Sequence, residues 1–458
     1  MSLFAGHPQG VLIALTIVTL GGLACLAAGK YRHAVCILVA FLGVAHAANS
    51  VAAYDRLVAT MRGAHGEHSG IVIGVSRAGE SQQATVRLAG SEDTRVRLTL
   101  QKYPRVLYGD AIRFTAVFSE PEDASGYLRK ENIHATARFP SNVVVESSGN
   151  GSAILEYLLG IRESVQQRFR EVFPPESATL MTGLVLGKSG GFDREFSEKL
   201  KATGTTHLVA LSGYNIAIII NGLLWILSFV LTRPKAVWVA LAAVTAFVLM
   251  TGAEASVVRA AVMAAIMVLA ERAGRVYSVQ SAIAMTAALM VGFQPMVLAF
   301  DVGFQLSFLA LLGIVYLEPA LRTLLPIFDR PSMLGWRSSM LTTLAAQLMV
   351  LPLLVGAFGS FSPMSLITNV LLLGVIPHTM FLGLLVLISG YISEALAALV
   401  AFPARLLLGY ELGVITFFAK FSFGVHLPKS VVMGALYYLG VAGFIMYARH
   451  KERRVAAV

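Results

Sequence analysis

The sequence predicts a polytopic α-helical membrane protein, with about 11 spans, that also carries a small extracytoplasmic all-β domain. Three observations predict it. Of the 458 residues, 56% are hydrophobic and only 14% are charged, with a mean hydropathy of +0.71. A soluble domain is about 45–50% apolar with glycine counted and about 25% charged, so the surplus here has to meet lipid. Apolar runs recur along the chain, while one stretch breaks into short alternating segments. Finally, the formal net charge of +10 is concentrated in turns between apolar runs, the pattern that orients membrane proteins. The two cysteines, Cys25 and Cys36, both lie in apolar runs, which excludes a disulfide scaffold.

Residues 1–53 read as a transmembrane hairpin. Val11–Gly29 is uncharged and long enough to span; Lys30–His33 interrupts, and Ala34–Ala53 forms a second run. Met1–Gly10 has no Lys or Arg and no small-residue cleavage site follows a short core, which argues against a cleaved signal peptide. Residues 54–150 read as an extracytoplasmic β-domain with strands at Ile71–Ser76, Ala84–Leu88, Arg95–Leu100, Ala111–Phe118, His134–Phe139 and Val143–Val145. Five or six short strands in a stretch of this length suit an OB-like barrel. Its charges nearly balance, which leaves a structural role and nucleic-acid contact both open. His65 and His68 are read as part of a loop, since two histidines without further ligands do not make a metal site.

Residues 151–204 form linking helices. Ile154, Leu158, Ile161, Val165, Phe169 and Phe173 recur at helical spacing until Pro174-Pro175 ends the run. A second helix covers Ala178–Leu186, and Asp193 is placed to cap a third that runs through Lys199. These amphipathic helices suit either a membrane surface or a packed collar. Residues 205–448 read as the membrane domain. Its spans lie near His207–Leu231, Ala236–Thr251, Val257–Ala270, Ser278–Val291, Val302–Leu317, Ser339–Phe358, Ser365–Ile388, Ala397–Phe423 and Val431–Tyr447. Pro377 and Pro403, inside long runs, predict kinked or broken helices. Residues 449–458 are a basic tail. With the β-domain outside, alternation delivers Arg233, Lys235, Arg272, Arg275, Arg322, Arg330, Arg337 and the tail to the cytoplasm; Lys420 and Lys429 are exceptions.

Soluble-enzyme motifs are missing. Gly183–Ser189 is one residue short of a phosphate-binding loop and follows a helix, no dinucleotide fingerprint follows a strand, and no Cys/His cluster occurs. The chain is therefore read as a non-enzyme with no cofactor and no metal. Polar residues inside apolar runs are more informative because lipid makes them costly: Ser212, Asn215, Asn221, Glu254, Arg259, Asp301, Gln305, Gln347, Asn369, His378, Arg405 and Glu411. Asp301, Gln305 and Phe308 have the spacing of one helix face. Many amides with few acids fit a conduit for a neutral or anionic solute, against the alternative of interhelical bracing. An intramembrane serine hydrolase built on Ser212 with His378 is a weaker alternative, and His207 is badly spaced to serve Ser212 from the same helix.

Several ordered blocks resemble one family. Ala202–Ile219, ATGTTHLVALSGYNIAII, is similar to the signature of the ComEC competence family of DNA-internalisation membrane channels. Ser177–Asp193 resembles the stretch before that signature, Val257–Met263 its Arg-Ala span, and Gln294–Gly313 its Asp-x-Gly-Phe-Gln-Leu-Ser block. Ala346–Asn369 resembles later spans, and Tyr108–Ala137, with YLRKENIHATA, the end of its OB-like domain. The resemblance implies an inner-membrane channel that admits single-stranded DNA during natural transformation. A separate DNA receptor and a helicase or ATPase would supply capture and energy. His207, Ser212, Asn215, Arg259, Asp301, Gln305, Gln347 and Asn369 fall on motif positions, with an implied role of lining or bracing the path; no residue is assigned to catalysis. Asn215 stands where many members carry His. The metallo-β-lactamase-like nuclease that many members add has no counterpart before Val458, so a partner nuclease is expected where the strand is degraded. A transporter of another polar or anionic solute is the alternative reading.

Overall fold

A computed structural model describes residues 31–78, 81–90, 94–122, 126–187, 192–209, 211, 213–325, 336–359, 361–422, 424–425 and 431–455. The first apolar run, Val11–Gly29, and Ser212 lie outside the described residues. The chain forms two compact units: one comprises the described residues as far as Tyr157 with Ala284–Val302, the other Leu158–Ile283 with the chain from Gly303 onward.

The first unit begins with helix α1 (Tyr31–Met61), which contains the second apolar run. Strands β1 (His65–Ala78), β2 (Ser81–Leu88), β3 (Arg95–Gln101) and β4 (Ala111–Val117) follow, then a single turn of helix, α2 (Tyr127–Lys130), β5 (Ile133–Arg138) and β6 (Ser141–Ser147). The sheet order is β5-β3-β2-β1-β4-β6. β3 and β5 are parallel, and a bridge between Ser119 and Thr136 links the end of β4 back to β5, so five strands close on themselves. β1 is long because it serves two neighbours: His65–Ile71 pairs with β4 and Gly70–Ala78 with β2, with an irregularity between Val72 and Gly74, the bend such a strand needs to turn a corner. The strict alternation of β2, β3 and β4 puts Ala84, Val86, Val96, Leu98, Leu100, Ile112, Phe114 and Ala116 inside. Tyr54 near the end of α1 is buried and donates its hydroxyl to the Ile133 carbonyl at 2.7 Å, which seats that helix on β5.

The stretch with His65 and His68 is strand β1, not a loop. His68 packs its ring 4.7 Å from that of Phe118, an aromatic partner that loop composition does not reveal. Its Nε2 is buried without a hydrogen-bond partner. Burial, and then the charge of His65, lower its pKa below the ordinary 6.5.

The second unit is helical. α3 (Ala153–Val172) leads into α4 (Pro175–Leu186), α5 (Arg194–Ala202), a single turn α6 (Thr206–Val209) and α7 (Gly213–Ser228). Asp193 caps α5, its carboxylate accepting the Phe196 N–H at 2.7 Å. α8 (Arg233–Thr251), α9 (Ala255–Arg272), α10 (Val279–Phe293) and α11 (Met296–Phe300) come next; α10 crosses between the units and α11 belongs to the first. α12 (Val302–Leu312) continues through a π-helical turn (Gly313–Leu317) into α13 (Glu318–Leu324). α14 (Trp336–Phe358), α15 (Met364–Leu373), α16 (Ile376–Ile392), α17 (Glu394–Ala419) and α18 (Val431–Val455) complete the fold.

α4 is buried along most of its length beyond its first turn, so this linking segment is core rather than surface. α3 buries only its end, through Phe169 and Phe173, and leaves Ile154 and Tyr157 exposed. Three arginines tie the helices through carbonyls at or near helix ends: Arg162 donates to Met250 in α8, Arg168 to Gly390 in α16, and Arg405 of α17 to Val172 at the end of α3.

Among the described residues four helices are long and apolar enough to cross a membrane: Val302–Leu324, Arg337–Phe358, Glu394–Ala419 and Val432–Lys451. A fifth is counted if Met364–Leu373 and Ile376–Ile392, bent by 46°, make one span. The apolar helices Lys235–Thr251 and Val279–Phe293 are shorter, about 22–26 Å at 1.5 Å per residue against a hydrocarbon core of about 30 Å. The run expected as one span at His207–Leu231 is divided into α6 and α7. Pro377 lies just after the bend, whereas Pro403 sits within an unbroken α17. Pro352 is also inside a helix, α14, where it cannot donate to the Leu348 carbonyl. Tyr437 of α18 donates to that carbonyl at 2.8 Å, and Tyr438 to the next one, of Met349, at 3.1 Å.

Two expected outcomes follow from these contacts. Because His68 favours the fold when neutral, its contribution is present above pH 6.5 and is lost as pH falls through the lower folded-state value. Melting of the full chain should therefore show an acid limb that His68→Leu flattens. Tyr437→Phe should cost about 1–3 kcal/mol in chemical denaturation by stranding the Leu348 carbonyl. The same change should cost less in a Pro352→Ala background, where the backbone N–H is restored.

Candidate functional site

Part of the signature meets the Arg-Ala span in the second unit because two segments approach closely. A Cβ on Gly183 of α4 would collide with the Val209 side chain, so only glycine admits the end of α6 here. Leu211 is buried beside Ile216 and Val257, and its carbonyl accepts the Ser256 hydroxyl of α9. At the start of α7, a Cβ on Gly213 would stand 2.7 Å from an Arg259 guanidinium nitrogen. Asn215, 2% exposed, reaches back to α4 and donates to the Leu184 carbonyl at 3.2 Å.

Arg259 of α9 is the centre of this arrangement. Its guanidinium lies against Gly213, donates to the Ser307 carbonyl of α12 and sits 5.9 Å over the Phe308 ring. The Ser307 hydroxyl beside it is buried with no hydrogen-bond partner. Among the described residues no carboxylate lies within ion-pair distance of Arg259. Glu254, five positions earlier in the sequence, acts on Arg162 instead. A half-buried guanidinium with spare donors and no counter-charge is suited to an oxyanion, because its fork matches phosphate geometry.

The first part of the signature is held at the other end of α5. Thr203 and Thr205 are fully buried and share a 2.8 Å hydroxyl contact, Gly204 packs on Ser365 of α15, and Ser422 donates to the Ala202 carbonyl. His207 is exposed, with Nδ1 3.0 Å from the Gly204 carbonyl. Asn369 is 3% exposed on α15, one turn from Ser365, and its Oδ1 has no hydrogen-bond partner. Gln305 on α12 and Gln347 on α14 are half-buried. Among the described residues no three His, Cys, Asp or Glu side chains form a metal site.

Asp301 belongs to the first unit. It is not on the helix with Gln305 but at the extended residue between α11 and α12. There, 4% exposed, it pairs with Lys130 of α2 at 3.0 Å, while Gln294 donates to the Lys130 carbonyl at 2.6 Å. Burial works against the Lys130 ammonium, but Asp301 outweighs it and holds the pKa above the ordinary value. Lys130 was not among the residues singled out from the sequence; it lies in the YLRKENIHATA block, and only folding pairs it with Asp301. Ser256 and Ser307 were missed too, because a serine in an apolar run carries no signal of its partner.

Lys130→Ala should destabilise the full chain by about 3–5 kcal/mol, the cost of removing one partner from a buried pair. The double variant Lys130→Ala/Asp301→Asn should lose clearly less than the two single losses added together. A denaturation series on the four proteins measures the coupling.

The comparisons with known proteins point the same way. A family model described as Competence protein matches residues 184–452, which include all eight motif positions. ComE operon protein 3 of Bacillus subtilis (strain 168) is 26% identical over 274 residues, covering 58% of this chain and 34% of that protein. The match thus spans about a third of that relative's length. No solved structure matches. With the family model covering more than half of the chain and the helices of membrane-crossing length, the protein is a membrane protein belonging to the competence protein family, the ComEC family that its motifs resemble.

Proposed function

We propose that the chain forms an inner-membrane conduit for single-stranded DNA during natural transformation, and that Arg259 meets the phosphates of the passing strand. The observation that carries this reading is a guanidinium with no counter-charge among the described residues, at the crossing of three motif blocks on α7, α9 and α12. An ionisable group held in a membrane domain is costly and marks a path for a charged solute. His207, Ser212, Asn215, Gln305, Gln347 and Asn369 line or brace that path, and Asp301 braces its own unit through Lys130.

The same reading takes the β-unit as an extracytoplasmic OB-like barrel, supported by the closed strand order and the parallel β3–β5 pair. Its exposed Tyr103 has Arg105 5.8 Å from the ring centre, and exposed Phe139 follows Arg138 at the end of β5. Aromatic and basic side chains of this kind suit bases and phosphates. The charge distribution supports about eleven crossings with a cytoplasmic tail. Capture of the DNA and the energy for its passage fall to a separate receptor and motor.

Deletion of the gene should abolish transformation and the intact gene should restore it. Arg259→Ala should lower uptake of labelled DNA about tenfold or more, the scale of one charge-assisted hydrogen bond. Arg259→Lys should fall between the two. Normal transformation in the deletion strain would sink the reading, and would leave a conduit for another anionic solute in its place.

A further inference from the structure

Glu411 lies in the middle of α17, a helix of membrane-crossing length, and is 2% exposed. Its Oε1 is 2.6 Å from the Thr379 hydroxyl of α16, which also lies 3.4 Å from the Val375 carbonyl. No basic group pairs with it among the described residues. The ionisable side chains of the neighbouring elements are exposed or engaged elsewhere. His378 and Glu176 are exposed, His207 contacts the Gly204 carbonyl, Lys199 pairs with Glu195, and Arg405 donates to Val172. α15 contributes no ionisable residue.

A small cavity, walled mostly by apolar side chains, lies beside the carboxyl. The cavity, of about 10 Å³, is lined by Glu411, Thr205, Leu208 and Val209 of the signature segment, and Leu372 and Ile376 from either side of the 46° bend. A volume of that order holds about one water. An acid in such a place is satisfied when it carries its proton: Glu411 O–H donates to Thr379, and Thr379 donates to the Val375 carbonyl. A carboxylate there lacks a cation and needs water to enter.

We propose that Glu411 is a reversible proton-binding site whose release step hydrates the cavity between the signature segment, the bent α15–α16 pair and α17. The O–H bond of the carboxylic acid breaks, its electron pair stays on the carboxylate, and the proton passes to the water that enters. Uptake reverses both. Proton occupancy then sets how tightly the Thr205–Val209 segment packs on α16 and α17. This inference goes beyond the DNA reading and does not rest on it, because it follows from burial and partners alone.

The test is infrared difference spectroscopy on the full chain in lipid nanodiscs during pH titration. The expected result is a protonated-carboxyl C=O band that disappears reversibly as pH rises and is absent from Glu411→Gln. Thr379→Val, which keeps the acid but removes its hydrogen-bond partner, should shift the band. The proposal is overturned if the wild-type band is missing at every pH, if it persists unchanged to the alkaline limit of stability, or if it survives in Glu411→Gln. Should Glu411→Gln fail to fold, an unshifted band in Thr379→Val overturns it equally.

Discussion

The helical unit depends on how closely Val209 and Leu211 can approach the buried helix Pro175–Leu186. A side chain at Gly183 would occupy the space of Val209, and one at Gly213 would displace Arg259. With both absent, Leu211 buries, Asn215 reaches the Leu184 carbonyl, and the Leu211 carbonyl receives Ser256. Arg259 is then held between the start of α7 and α12.

A second constraint acts on the same unit. Polar groups away from water must find partners within the protein. Arg162, Arg168 and Arg405 satisfy carbonyls at or near helix ends, and Tyr437 covers the carbonyl that Pro352 leaves open. The residues that stand apart from this accounting are few. Among the described residues, Arg259 is tied to a carbonyl but not to a counter-charge, Glu411 to a hydroxyl but not to a base, and the oxygens of Ser307, Ser365 and Asn369 lack partners. Four of these five lie on or beside motif positions of the family, whereas Glu411 lies in the matched range without belonging to a quoted motif.

The β-unit was largely legible because strand alternation is a local signal: each of the six anticipated segments overlaps one observed strand. His65 and His68 escaped that signal, since β1 pairs over them with β4 more than forty residues away. Helix positions from Ala153 to Ala202 were also legible from periodicity, Pro174-Pro175 and the Asp193 cap. Burial was less so, because α4 shows its apolar residues but not what covers them. Span counting from hydropathy treated Lys235–Thr251 and Val279–Phe293 as equals of Glu394–Ala419, although their helices are much shorter.

By itself the sequence determined the membrane class, the presence of a β-unit, the family and which polar residues are costly, all of which follow from composition, periodicity and ordered motifs. Only the tertiary structure decided who partners whom. Asp301 meets Lys130 rather than sharing a helix face with Gln305, Arg259 stands without the Glu254 that precedes it, and Glu411 faces Thr379 and a water-sized cavity. The physical reason is range. Periodicity reports which way a residue faces on its own element, whereas ion pairs and cavities are made by elements far apart in the chain, and one turn of helix more or less changes every such meeting.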